Sequence, residues 1–123
     1  MTAGQLISIV DDDASMREAL VGLVRSLGYE VRDFASAEDF LASNDLGKFA
    51  CAITDIQMPG MNGFELKREL TTRHGTLPVI MITARTEAGI EEKAMASGAS
   101  CFLRKPFDAE TLVNCLRRII GGV

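Results

Sequence analysis

The sequence predicts a (βα)5 open parallel sheet with helices on both faces, and three observations carry that prediction. Five short β-type runs recur along the chain, each is followed by a stretch with helical spacing, and the inner runs are apolar nearly throughout. Strict alternation would mark a half-exposed antiparallel sheet. Continuous runs such as LISIV, ACAIT and VIMIT instead mark strands buried on both faces of a parallel one. Helical crossovers between such strands imply right-handed βαβ units.

The first run is Leu6 to Val10. After it, Met16, Leu20, Leu23, Val24 and Leu27 follow i, i+4, i+7, i+8, i+11 spacing and share one helix face. Ser15 and Glu18 fit a capping box at its start, and Gly28 is placed to end it. The remaining runs are Glu30 to Phe34, Ala50 to Thr54, Val79 to Thr83 and Ser100 to Leu103. His74, the sole histidine, reads as part of a polar Arg73-His74-Gly75 loop. The final helix repeats the amphipathic pattern through Leu112, Leu116 and Ile119, with Asp108 as its N-cap. Internal repeats and low-complexity tracts are absent from the sequence, and Gly121-Gly122-Val123 reads as the stub of a linker.

Length and charge narrow the function classes. A chain of 123 residues, 47% apolar, is one domain spanning 1–123; at this size about two-thirds of the unfolded surface can be buried without disulfides or a structural metal. Thirteen basic against 17 acidic side chains leave a net charge of −4, which excludes a protein that coats duplex nucleic acid by neutralising phosphates. Any DNA binding is expected outside this chain. The first ten residues carry no Lys or Arg, and their apolar stretch stops at three aspartates. Neither a secretory signal nor a spanning helix fits there, so a cytoplasmic protein without a membrane partner is expected. Cys51, Cys101 and Cys115 are odd in number and widely spaced within apolar stretches, as expected of plain buried thiols.

In open α/β sheets ligands bind outside the carboxyl ends of the strands. Those positions are unusually polar here. Asp11, Asp12 and Asp13 follow the first strand, Asp55 the third, Thr83-Ala84 close the fourth, and Lys105-Pro106 follow the fifth. Two carboxylates at ~4 Å repel by roughly 1 kcal/mol in water and ~4 kcal/mol at an intermediate effective dielectric. A cluster of them therefore favours protonation or a bound cation. An all-oxygen set suits Mg²⁺, which takes one or two carboxylates and shares its other positions with water and phosphate. Phosphoryl chemistry is the expectation. The bland reading, a solvated acidic turn, explains Asp11 to Asp13 alone but not the other strand ends.

Asp11-Asp12 after the first strand, Asp55 within TDIQMPGMNGFEL, Thr83-Ala84 after VIMI, and Lys105-Pro106-Phe107 after CFLR resemble a bacterial response-regulator receiver domain. The match covers essentially the whole chain, in the family's order and spacing. The triple acid and the KPFD run resemble the FixJ subgroup most. The resemblance implies a flavodoxin-like fold with strand order 2-1-3-4-5. It makes Asp55 the nucleophile that accepts a phosphoryl group from a sensor histidine kinase or histidine phosphotransfer protein. Asp11, Asp12, Asp55 and the backbone carbonyl of Gln57 would hold Mg²⁺, and Lys105 would pair with the phosphate. Thr83 would bond a phosphate oxygen, while Ala84 keeps the entrance open.

The same resemblance makes Thr83 and Phe102 a coupled switch that reshapes the face of the fourth helix, fifth strand and fifth helix, with a phosphorylation-dependent homodimer as one readout. Gln57 and Arg85 would set phosphoryl lifetime, and the Lys105-Pro106 peptide would be cis. If the chain is a fragment, a DNA-binding output domain would follow Val123 and control transcription; if not, it is a stand-alone shuttle. The main competitor is a Mg²⁺-dependent phosphatase of the haloacid dehalogenase type. It would use Asp11 and Asp13 as its D-x-D pair, but that family needs further acids after its fourth strand, where this chain reads Thr83-Ala84-Arg85-Thr86-Glu87, and Asp55 is left unexplained. A docking module without phosphoryl chemistry fits the complete residue set poorly.

Overall fold

The computed structural model describes residues 5–44 and 46–121. Strands β1 (Leu6–Val10), β2 (Glu30–Phe34), β3 (Phe49–Asp55), β4 (Val79–Thr83) and β5 (Cys101–Arg104) alternate with helices α1 (Ala14–Ser26), α2 (Ala37–Ala42), α3 (Gly63–His74), α4 (Ile90–Ala96) and α5 (Ala109–Ile120). All strand pairs are parallel, in the order β2-β1-β3-β4-β5. The fold is the expected one.

Period-two alternation along the buried strands divides the core. Val10, Ala52, Val79 and Met81 face α2, α3 and α4 through Phe40, Leu66, Leu70 and Ala94. Ile7, Ile9, Ile53, Ile80 and Leu103 face α1 and α5 through Leu20, Val24, Leu112 and Leu116. The inner strands are buried on both sides for this reason.

Register aligns the strand ends. Val10 lies beside Thr54, so Asp11 follows next to Asp55; Thr83 lies beside Arg104, so Lys105 follows next to Thr83. Residues separated by up to 94 positions thus share one edge of the sheet.

Several element ends differ from expectation. Asp13, not Ser15, caps α1, accepting from the backbone N–H groups of Ser15 at 2.9 Å and Met16 at 3.2 Å. A carboxylate already stands at the positive end of the helix dipole, so the helix begins earlier than a Ser15–Glu18 box requires. Gly28 does follow the helix, at φ +97°, where other residues are strained. β3 is one residue longer at each end than the apolar run and so includes Asp55, while β5 begins one residue later. His74 closes α3 instead of lying in a loop, because the Leu66–Leu70 stripe and a Glu69–Arg73 ion pair at 3.3 Å carry the helix that far. Asp108 caps α5, accepting from the Thr111 N–H, and Gly121 ends that helix at φ +71°. Gly122 and Val123 lie outside the described residues.

The three cysteines are free and buried. Burial pushes the Cys51 thiol up to about 12, and burial followed by a hydrogen bond with Cys101 does the same for Cys115. A native protein whose three thiols are all buried should be inert to an aromatic disulfide at pH 8 and titrate three thiols only in denaturant. Rapid native-state reaction of one thiol would contradict this packing.

Candidate functional site

Each strand end delivers one group. Asp11, at 1% exposure, follows β1 at the base of the site. Its Oδ1 accepts the Asp13 N–H at 3.0 Å, and its backbone carbonyl accepts from Arg17 Nη1 at 2.8 Å. Arg17 also reaches Asp33 on β2, at 2.9 Å, so a guanidinium ties the acidic turn to the neighbouring strand. Asp12 is exposed above it. Asp55 ends β3 with its backbone carbonyl bonded by the Thr54 hydroxyl at 2.9 Å and its Oδ1 by the Gln57 N–H at 3.3 Å.

Lys105 completes the cluster. Its ammonium donates to Asp11 Oδ2 at 3.3 Å and Asp55 Oδ2 at 3.2 Å, with side-chain exposures of 14%, 2% and 11% in that order. Burial pushes the Asp55 carboxyl above its usual range; Lys105 opposes that shift and Asp11 adds to it. For Lys105, burial acts downward, but attraction to Asp55 and Asp11 outweighs it and the net shift is upward. One carboxyl is therefore harder to ionise while its ammonium neighbour is held charged.

Ligand oxygens of Asp11, Asp12 and Asp55 lie within 4.8 Å of one another. Three carboxylates against one ammonium leave about two negative charges without a counter-charge, and the donors are all hard oxygens. The residues fit a divalent cation of the Mg²⁺ type.

A cleft of about 290 Å³ opens above them, lined by Asp12, Asp13, Asp55, Gln57, Thr83, Ala84, Arg85 and Lys105. Thr83 is fully buried at the end of β4, and its hydroxyl accepts the Arg85 N–H at 3.0 Å. Ala84 is exposed at the rim and Gln57 projects beside it. The Lys105-Pro106 peptide is cis. Phe102 is half-buried one layer away, packed on the core that α2, α3 and α4 share, with the Arg104 guanidinium 5.3 Å above its ring. Arg104 also donates to the Arg85 carbonyl at 2.7 Å, joining β5 to the loop after Thr83. The structure thus gathers Asp11, Asp12, Asp55, Gln57, Thr83, Ala84, Arg85 and Lys105 at one cleft and leaves Phe102 outside it.

Asp13 caps α1, which counts against its pairing with Asp11 in a phosphatase-type D-x-D motif. Two supporting residues escape sequence reasoning, Arg17 and Glu38 on α2, whose carboxylate accepts the Met61 N–H; a third, Gly63, abuts the Asp55 backbone from a turn pair that shapes the loop after Asp55. Only Gly63 had a local signal, in the Asn62-Gly63 pair; the others act across the fold.

Fold and site define a doubly wound parallel α/β domain with acids and a lysine converging at the strand ends. The family "Response regulator receiver domain" matches residues 7–117. Response regulator protein TmoT of Ectopseudomonas mendocina is 41% identical over 114 residues, 91% of this chain and 51% of the relative. Transcriptional regulatory protein FixJ of Azorhizobium caulinodans is 36% identical over 94% of this chain and 54% of its own. Among solved structures, Vibrio cholerae chemotaxis protein CheY4 superposes with a TM-score of 0.86 at 32% identity, covering 95% of this chain and 99% of that one. The chain belongs to the response-regulator receiver family, whose members are signalling switches and not enzymes in the ordinary sense. It spans about half the length of the curated relatives it matches, FixJ-type regulators among them. No helix among the described residues is long and apolar enough to cross a membrane.

Proposed function

We propose that this domain accepts a phosphoryl group on Asp55 from the phosphohistidine of a sensor histidine kinase or histidine phosphotransfer protein, and changes its association surface in response. The observation that carries this reading is the Lys105 ammonium bridging Asp11 and Asp55 at 3.3 and 3.2 Å, with Asp12 beside them. An Asp55 carboxylate oxygen forms the new P–O bond as the P–N bond to histidine breaks, and the imidazole leaves with a proton from solvent. Asp11, Asp12, Asp55 and the Gln57 carbonyl would hold Mg²⁺, which when bound offsets charge on the phosphoryl oxygens. Lys105 pairs with the phosphate as a second positive charge, and Thr83 donates to one of its oxygens. Ala84 leaves the approach open, while Gln57 and Arg85 flank the path of hydrolytic water and set the lifetime of the acyl phosphate.

Phosphorylation by acetyl phosphate, followed by intact mass, tests the reaction. Uptake should need Mg²⁺ and stop on chelation. Asp12→Ala should raise half-saturating Mg²⁺ at least about tenfold, as expected when one charged ligand is lost. An unchanged Mg²⁺ dependence would remove Asp12 from the ligand set.

The response runs through Thr83 and Phe102. A hydroxyl drawn to the phosphate frees space into which the aromatic ring turns, altering the face of α4, β5 and α5 and favouring a homodimer. Moving a two-state equilibrium from 1:99 to 99:1 takes about 5.5 kcal/mol, more than one neutral hydrogen bond supplies. The phosphate's contacts with Lys105 and the metal site, and repacking of Phe102, contribute the rest. Thr83→Ala is therefore expected to take up phosphate at Asp55 yet associate at least about tenfold more weakly, as read by sedimentation with and without beryllofluoride and Mg²⁺. Association of this variant equal to wild type would exclude Thr83 from the switch. In the whole protein, which works in the cytoplasm, a DNA-binding segment outside these residues would then control transcription, as the names of the FixJ-type relatives suggest.

A further inference from the structure

The loop from Ile56 to Asn62 leaves β3 directly after Asp55 and carries Gln57. Its ends are fixed locally: the Gly63 N–H donates to the Ile56 carbonyl at 2.8 Å, and Asn62 and Glu65 form a reciprocal capping box at the start of α3. Its middle is held from another element. Glu38 Oε2, at the start of α2 and 23 residues away in sequence, accepts the Met61 N–H at 2.9 Å. The same oxygen lies 2.6 Å from where a Cβ on Gly60 would sit, and Gly60 has φ +73°. The carboxylate therefore rests directly on the loop backbone, at a position whose conformation favours glycine. The Met61 N–H holds the Glu38 carboxyl below its ordinary range, as expected of a carboxylate engaged by a backbone donor.

Glu38 is exposed, but the helix that carries it is capped and packed. Ser36 caps α2 by accepting the Asp39 N–H at 3.0 Å, and Phe40, fully buried, packs on Phe34 and Phe49 with ring centroids 5.1 and 5.3 Å apart. The far end of the loop meets the chemistry, because the Gln57 N–H donates to Asp55 Oδ1. An aromatic cluster, α2, the Glu38 carboxylate, the loop and Asp55 form one connected path.

We propose that Glu38 is a positioning residue for the phosphoacceptor site, fixing the loop after β3 so that Gln57 and Asp55 are held in place before a metal or phosphoryl group arrives. The proposal rests on the phosphoacceptor reading for its effect on activity, but its structural core can be measured without it. Supporting residues of this kind commonly alter metal affinity without touching the ion.

The test compares Glu38→Ala, which removes the acceptor, with Glu38→Gln, which keeps an oxygen in reach but drops the charge. In metal-free protein, Glu38→Ala should lose hydrogen-exchange protection at Met61 and shift the amide resonances of Asp55 and Gln57, and Glu38→Gln should largely restore both. Half-saturating Mg²⁺ for acetyl phosphate uptake, measured well below the melting temperature, should rise about three- to tenfold in Glu38→Ala and stay within about twofold in Glu38→Gln, the fold-change of one ordinary hydrogen bond. A Glu38→Ala protein with wild-type Asp55 and Gln57 resonances would overturn the proposal. So would a Glu38→Gln protein as defective as Glu38→Ala. A wild type that takes up no phosphate fails the functional reading instead, and the metal-free resonances still decide the role of Glu38.

Discussion

Asp55→Asn is expected to take up no phosphoryl group from acetyl phosphate or a phosphorylated kinase, and to show no phosphorylation-dependent change in association. The amide lacks a carboxylate oxygen able to form the acyl phosphate, and it removes one of the three ligands in the acidic cluster. Folding should survive. The substitution is close to isosteric, and it removes a largely buried carboxylate whose ionised form is disfavoured by burial and by neighbouring Asp11, so stability should equal or exceed wild type. Lys105 keeps Asp11 as a partner. Intact mass and thermal melting of the same sample separate the two effects. Stoichiometric, persistent labelling of Asp55→Asn would remove Asp55 as the phosphoacceptor, whereas a collapsed melting temperature would show that the site residue also holds the fold.

Gly63→Ala is expected to cost about 2–3 kcal/mol of stability and to impair phosphorylation at temperatures where the protein remains folded. A Cβ there would stand 2.6 Å from the Asp55 carbonyl oxygen and 2.8 Å from the Ile56 Cα, both backbone atoms of the strand end that carries the acceptor. Backbone cannot swing aside as a side chain does. Relief requires moving either the start of α3 or Asp55 itself, and the Gly63 N–H to Ile56 carbonyl bond at 2.8 Å ties the two together. For a domain of this size the loss should lower the melting temperature by roughly 10 °C. A variant with unchanged melting and unchanged phosphorylation would show that the loop has slack that the close approach denies.

Much of this site was legible because parallel strands repeat a simple rule. Asp55, Thr83 and Lys105 each end or follow an apolar run, and the register of a parallel sheet sets such ends side by side whatever their separation in sequence. The capping of α1 was misread because Ser15 with Glu18 is a complete local pattern, while Asp13 competes for the same N–H groups from a position already claimed by the acidic cluster. The ends of β3 and β5 were off by one residue because polar Asp55 and Arg104 continue strand pairing that hydrophobicity alone does not mark. Arg17 on Asp33, Glu38 on Met61 and Arg104 on the Arg85 carbonyl were not legible at all. These contacts join elements distant in sequence, and long polar side chains find such partners only once packing has placed them.

The proposed function assigns the phosphoryl group to one carboxylate, at the end of β3. Incubating the wild-type protein with acetyl phosphate and Mg²⁺, reducing the acyl phosphate with borohydride and sequencing the peptides by mass spectrometry locates the modified residue directly. A single reduced position, Asp55, is expected, and it should disappear when Mg²⁺ is chelated. A reduced residue at Asp11 or Asp12 in place of Asp55, or uptake indifferent to Mg²⁺, would contradict that assignment.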